Sequence, residues 1–133
     1  TSLKSINLNN VNTSSATNMA AMFDLCSGLE TLNLSSFDTS KVTTMNSMFY
    51  GCTLLRSLDL SNFKTPALTD TMYMFGSCSS LVLLNIIHFN TANIDYSSGM
   101  FSGVNPNLIY CVDESKIEQI KSEFESNYVN NCR

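Results

Sequence analysis

The sequence predicts an α/β solenoid with a parallel sheet on one face, short helical turns on the other and a C-terminal capping helix. Three observations predict it. Met22-Phe23, Met48-Phe49, Met74-Phe75 and Met100-Phe101 recur every 26 residues, and a fixed period of this length marks a stack of like units. Within each unit the apolar spacing changes from three-or-four to two, so one stretch reads as a helical turn and the next as a strand. The 133 residues suffice for one continuous core, yet only 14% are charged. Ser, Thr and Asn therefore supply the polar surface.

Other columns keep the same interval: Cys26, Cys52, Cys78; Leu29, Leu55, Leu81; Leu32, Leu58, Leu84; Leu34, Leu60, Ile86; Phe37, Phe63, Phe89; and Val42, Leu68, Ile94. Leu3, Ile6, Leu8 and Val11 extend the pattern backwards, and the strand Leu3 to Leu8 is expected to form an unpaired edge through which the chain self-associates. In the unit that follows Lys41, Val42, Met45, Met48, Phe49 and Cys52 predict a short amphipathic helix or helical turn. Leu58 and Leu60 alternate with Ser57, Asp59 and Ser61, which predicts a strand with leucines inward and polar residues in water. Stacked about 4.8 Å apart, such strands pair as a parallel sheet. Residues 1–105 form the repeat domain on this reading, and residues 106–133 a terminal cap.

The runs MFDLCSGLETLNLSSFDTSKVTTMNSMF (22–49) and MFYGCTLLRSLDLSNFKT (48–65) resemble the repeat of BspA-like leucine-rich repeat surface proteins. The likeness spans about residues 1–105; Thr71 and Val104 depart from it where Met and Cys are expected. It implies a leucine-rich repeat solenoid, export to the cell surface or beyond, and attachment to host matrix or other cells. The chain opens within a patterned segment without an initiating Met, and is expected to be a piece of a longer precursor whose targeting segment has been removed.

The cap is expected to begin with the strand Leu108 to Val112. A helix follows, with Ser115 and Glu118 as a capping box and Ile117, Ile120, Phe124 and Tyr128 as one apolar stripe. It closes the end of the core or, on a competing reading, binds a partner. Cys26, Cys52 and Cys78 share one phase and read as buried thiols, whereas Cys111 and Cys132 flank the terminal segment and are expected either to pair as a disulfide or to stay as independent thiols.

Catalysis, metal binding and cofactors are not expected. His88 is the single histidine and reads as a solvated loop residue, no Cys-x-x-Cys or phosphate loop is present, and Asp24, Asp38, Asp59, Asp70 and Asp95 occupy different phases. A net charge of -4 argues against nucleic acid, and no run of apolar residues is long enough to insert in a membrane as a helix. Asn12-Thr13-Ser14 and Asn33-Leu34-Ser35 match the glycosylation pattern, though such triplets arise often in so polar a chain.

What remains is a surface. The outward phase of the predicted strands places Thr31, Ser57, Leu83 and Ile109 in one column, Asn33, Asp59 and Asn85 in the next, and Ile87 beyond them. Leu83, Ile87 and Ile109 are large and apolar where water is expected. They are either covered by the terminal segment or exposed as a patch that binds a protein or extracellular matrix ligand. The alternative function is a structural spacer holding another domain away from the cell surface.

Overall fold

The computed structural model describes residues 3–124 and 128–130. Among the described residues four short parallel strands form one sheet in chain order: β1 (Ser57–Asp59), β2 (Leu83–Asn85), β3 (Ile109–Val112) and β4 (Tyr128–Asn130). Ser57 pairs with Leu83 and Leu83 with Ile109, so register advances by 26 residues from strand to strand. The sequence period is thus the stacking interval. Between β3 and β4 it contracts, with Tyr110 opposite Tyr128.

β1 and β2 are short for a local reason. Leu58 and Leu84 point inward and are buried, but the next residue, Asp59 or Asn85, accepts a hydrogen bond on Oδ1 from the backbone N–H two residues on. That Asx turn diverts the backbone from the ladder. Asn33 makes the same bond to Ser35 N–H. Asn12, Asp38 and Asn90 turn the second corner, and Asn18 and Asp70 the third. This is where the Asn- and Ser-rich composition goes: it makes corners.

The core is a set of columns. Phe23, Phe49, Phe75 and Phe101 stack at centroid spacings of 5.5–5.7 Å with planes within 7°. Phe37, Phe63 and Phe89 form a second stack at 6.3–6.4 Å. Beside it runs a buried threonine column. Thr39, Thr65 and Thr91 each donate from Oγ1 to the carbonyl 25 residues ahead, on Lys64, Asn90 and Lys116, and Thr65 Oγ1 also accepts from Asn90 N–H. Every buried hydroxyl in this column therefore ties one unit to the next.

The Met-Phe segments are not helical turns. In each unit two residues four apart take left-handed backbone angles: Ala21 and Leu25, Ser47 and Gly51, Tyr73 and Ser77, Gly99 and Gly103. Their amides point along the stack. Ala21, Phe23 and Leu25 N–H donate to Asn46, Met48 and Tyr50 carbonyls, and Ser47, Phe49 and Gly51 N–H to Met72, Met74 and Gly76 carbonyls. A helix would direct those amides back to its own preceding turn. Bonding between units takes their place, and the three-or-four spacing of Met48, Phe49 and Cys52 arises from tight turns.

The terminal segment also departs from expectation. In place of an amphipathic α-helix there are two 3-10 segments, Glu114–Lys116 and Glu118–Glu123, started by Asp113 accepting from Ser115 N–H. The cause is competition for a carbonyl: Lys116 C=O accepts both Thr91 N–H and Thr91 Oγ1, continuing the threonine column. Ile117 and Ile120 are both fully buried, and a spacing of three faces one side in a 3-10 turn. Phe124 stacks on Phe101 at 4.9 Å and meets Tyr110 edge-on, closing the aromatic column. The first two expected strands are likewise missing: residues 3–8 and 31–34 form no strand, Leu3 and Ile6 are exposed, and among the described residues a single ladder-like bond, from Glu30 N–H to Lys4 C=O, joins the two stretches.

The threonine column makes a direct prediction. Thr65→Val keeps the shape but leaves Asn90 N–H and C=O without their buried partner, and should lower unfolding stability by about 1–3 kcal/mol in urea titration. Thr17→Val, on an exposed position, should change it by no more than about 0.5 kcal/mol.

Candidate functional site

The outward sheet face divides into two halves. Ser57 is exposed and small, whereas Asp59 and Asn85 have a side-chain oxygen engaged in the Asx turns. Thr31 and Asn33, expected on the same face, are exposed but lie outside the sheet, because residues 31–33 form no strand and Asn33 too is held in an Asx turn. The polar half thus spends much of its hydrogen-bonding capacity internally. The apolar half is different. Leu83 is 42% and Ile109 46% exposed, and as register partners on neighbouring parallel strands they sit side by side. The terminal segment leaves both open to water.

Val82 joins them at 43% exposure, while Ile87 is half-buried. Val82 escapes a strict alternation argument because it precedes the strand. Its signal is the run Leu81-Val82-Leu83-Leu84, in which four apolar residues cannot all face one side of a strand. Leu81 and Leu84 are fully buried, so the middle pair is left outside.

The cysteines separate as their phases suggest. Cys52 and Cys78 are fully buried, and each thiol donates to a carbonyl of the preceding unit, on Phe23 and Phe49, at 3.2 and 3.1 Å. Burial away from water, followed by the neighbouring thiol, pushes each pKa up to about 12. A thiol so held is a poor nucleophile and a poor metal ligand. Cys26 at the start of the column is partly exposed and also free. Cys111 is disulfide-bonded and buried, not outward-facing as alternation implies; its expected partner, Cys132, lies outside the described residues.

The remaining chemistry is dispersed. His88 is exposed, and among the described residues no three His, Cys, Asp or Glu side chains gather where a metal could be held. Asp38 and Asp113 hold their carboxyls below the usual range by accepting from the hydroxyl and N–H of Ser40 and Ser115. These are turn-stabilising carboxylates.

The side of the stack carrying the Met-Phe turns bears a groove of about 450 Å³ lined by Asp24, Leu25, Ser47, Tyr50 and Tyr73, which alternation along the strands does not foreshadow. Its readable signal is the set of large residues, the exposed Leu25 and Tyr73 and the half-buried Tyr50, at phases where neighbouring units hold glycine.

A family model described as "Mycoplasma protein of unknown function, DUF285" matches residues 1–110, and the chain belongs to that family. No curated protein and no solved structure matches it.

The raised thiol pKa values set two measurable outcomes. In the native protein a thiol reagent at pH 8 should modify Cys26 first, with Cys52 and Cys78 reacting only on unfolding. Unfolded thiols ionise near 9 while the folded pair stays protonated to about 12. The folded state binds more protons between these values, so their contribution is intact below pH 9 and declines as pH rises toward 12. The urea midpoint should fall over that window, and fall less in a Cys52→Ala, Cys78→Ala variant.

Proposed function

We propose that this chain is an adhesion or protein-interaction module of the leucine-rich repeat solenoid type, acting at the cell surface or outside the cell. Its ligand is a protein or extracellular matrix component. The docking face is the outward sheet surface carrying Ser57, Leu83 and Ile109, with Asp59, Asn85 and Ile87 around them and the exposed Thr31 and Asn33 in the preceding unit.

One observation carries the reading. Leu83 and Ile109 are exposed side by side on a sheet face that is otherwise polar, with exposed Val82 just before β2, and an apolar cluster rimmed by polar residues is the usual character of a protein-binding surface. The 26-residue register supports the solenoid reading, because neighbouring strands then present their outward residues as one continuous surface. The likeness to BspA-like repeats supports the location and the ligand class.

A spacer role is the second reading. It is favoured by Asn33, Asp59 and Asn85, whose oxygens are engaged in turns and present little polar capacity to a partner. Replacing Leu83 and Ile109 together by Ser removes apolar area without touching the core. The module reading expects adhesion of the purified protein to immobilised matrix proteins or host cells to fall about tenfold or more, with the urea midpoint little changed. Adhesion equal to that of the unaltered chain would sink the module and leave the spacer.

A further inference from the structure

We propose that the groove on the turn side is a second binding site, and that it takes a cationic side chain, the guanidinium or ammonium group of a peptide segment. The site is independent of the sheet-face reading above, since it lies on the turn segments and shares no residue with that face.

Its walls are held from below by the repeat. A methyl group added at Gly51 would strike the Leu25 side chain at 2.7 Å, one at Gly76 the Tyr50 ring at 2.8 Å, and one at Gly99 the Tyr73 ring at 2.3 Å. In each case a large side chain of one unit rests on the bare backbone of the next. Gly51 and Gly99 have positive φ as well, so a side chain is disfavoured there twice over. The Tyr50 and Tyr73 rings meet edge-to-face at 6.3 Å, which fixes two aromatic surfaces at right angles. Tyr73 is 42% and Leu25 61% exposed, so the surfaces are open to a ligand.

Charge selects the occupant. Asp24 is the charged residue among the described lining of the groove. Asp38, Asp59, Asp70 and Asp113 all accept hydrogen bonds in turns, whereas Asp24 has neither a side-chain hydrogen bond nor an ion pair among the described residues. The turn segments 18–26, 44–52, 70–78 and 96–104 contain no Lys or Arg, so no internal cation competes for it. An open tyrosine ring, Tyr73, beside a carboxylate without a hydrogen bond or ion pair among the described residues matches a cation in both respects: the ring attracts positive charge, and the carboxylate accepts its N–H donors. An aliphatic side chain would use the rings and leave Asp24 unanswered, and a neutral sugar would donate hydroxyls to Asp24 but leave its charge uncompensated.

The test is a titration of the whole chain, followed by amide NMR, with the blocked peptide acetyl-Gly-Arg-Gly-amide and its citrulline counterpart, which keeps the shape and loses the charge. The arginine peptide should shift resonances of Leu25, Ser47, Tyr50 and Tyr73 saturably, and the citrulline peptide should bind at least about fivefold more weakly. Asp24→Asn, an exposed and near-isosteric change, should weaken the arginine peptide by about three- to tenfold and leave the citrulline peptide unaffected. The proposal is overturned by equal binding of the two peptides, by an unchanged affinity in the Asp24→Asn variant, by shifts centred elsewhere, or by no saturable shift with the arginine peptide.

Discussion

Register between successive units is the constraint on which the rest of the structure depends. A coil of 26 residues has too little apolar area to close a core by itself, so each inward side chain is buried chiefly by its equivalent above and below. The phenylalanine stacks make this concrete: ring planes within 7° over four units require that no coil slip by even one residue. Hydrophobic burial alone is non-directional and would tolerate such a slip. The directional bonds do not. Thr39, Thr65 and Thr91 each reach one particular carbonyl 25 residues ahead, and the amides of the Met-Phe turns do the same.

The same device explains how far the stack runs. Thr91 finds its carbonyl on Lys116, and Ser97 Oγ donates to Glu123, at offsets matching those of the preceding units. The chain beyond residue 106 thus continues to be organised by the unit before it even though its sequence no longer resembles one. An isolated peptide with the stripe Ile117, Ile120 and Phe124 has every local reason to form an α-helix; the tertiary demand of Thr91 for the Lys116 carbonyl overrides that preference. Closing of the column then falls to Phe124 and Tyr110, whose rings pack on Phe101 in two different orientations and so end the parallel stacking.

Much of this was legible in the sequence, and the reason is periodicity. Columns such as Leu29, Leu55, Leu81 and Phe37, Phe63, Phe89 are buried as their spacing implies, because burial within the stack follows phase; at the first unit, with less of the stack on its outer side, Met22 is exposed and Cys26 and Leu32 are only partly buried. What period analysis could not supply was backbone conformation. Val42, Met45, Met48 and Phe49 satisfy a helical spacing, but tight turns with residues such as Ala21, Leu25 and Tyr73 at positive φ bury the same positions. The available clue was Gly51, Gly99 and Gly103, which fall at just the two left-handed phases and mark where the chain prefers to lack a Cβ. The candidate sheet face was legible by alternation at Leu83 and Ile109; Val82 was not, since it lies outside the strand where alternation holds.

Buried and exposed chemistry in this molecule are thereby divided by phase. Positions inside the stack are chiefly Phe, Leu, Ile, Val, Met, Cys and Thr, and even their reactive groups are neutralised: thiols by burial, hydroxyls by fixed carbonyls. Corner positions are Asn, Asp and Ser whose oxygens are engaged in turns. Variation free of those demands is confined to outward positions between corners, and it is there that Val82, Leu83, Ile109, Leu25, Tyr50 and Tyr73 appear. An apolar or aromatic side chain exposed at such a position leaves surface in water at a cost of about 25 cal/mol per Å² relative to burial, even where, as at Leu25 and Tyr73, part of it rests on the next unit's glycine. A sequence that otherwise repeats with small polar residues has no structural need to place large ones there, which is the physical reason to look for partners at these two places and not along the corners.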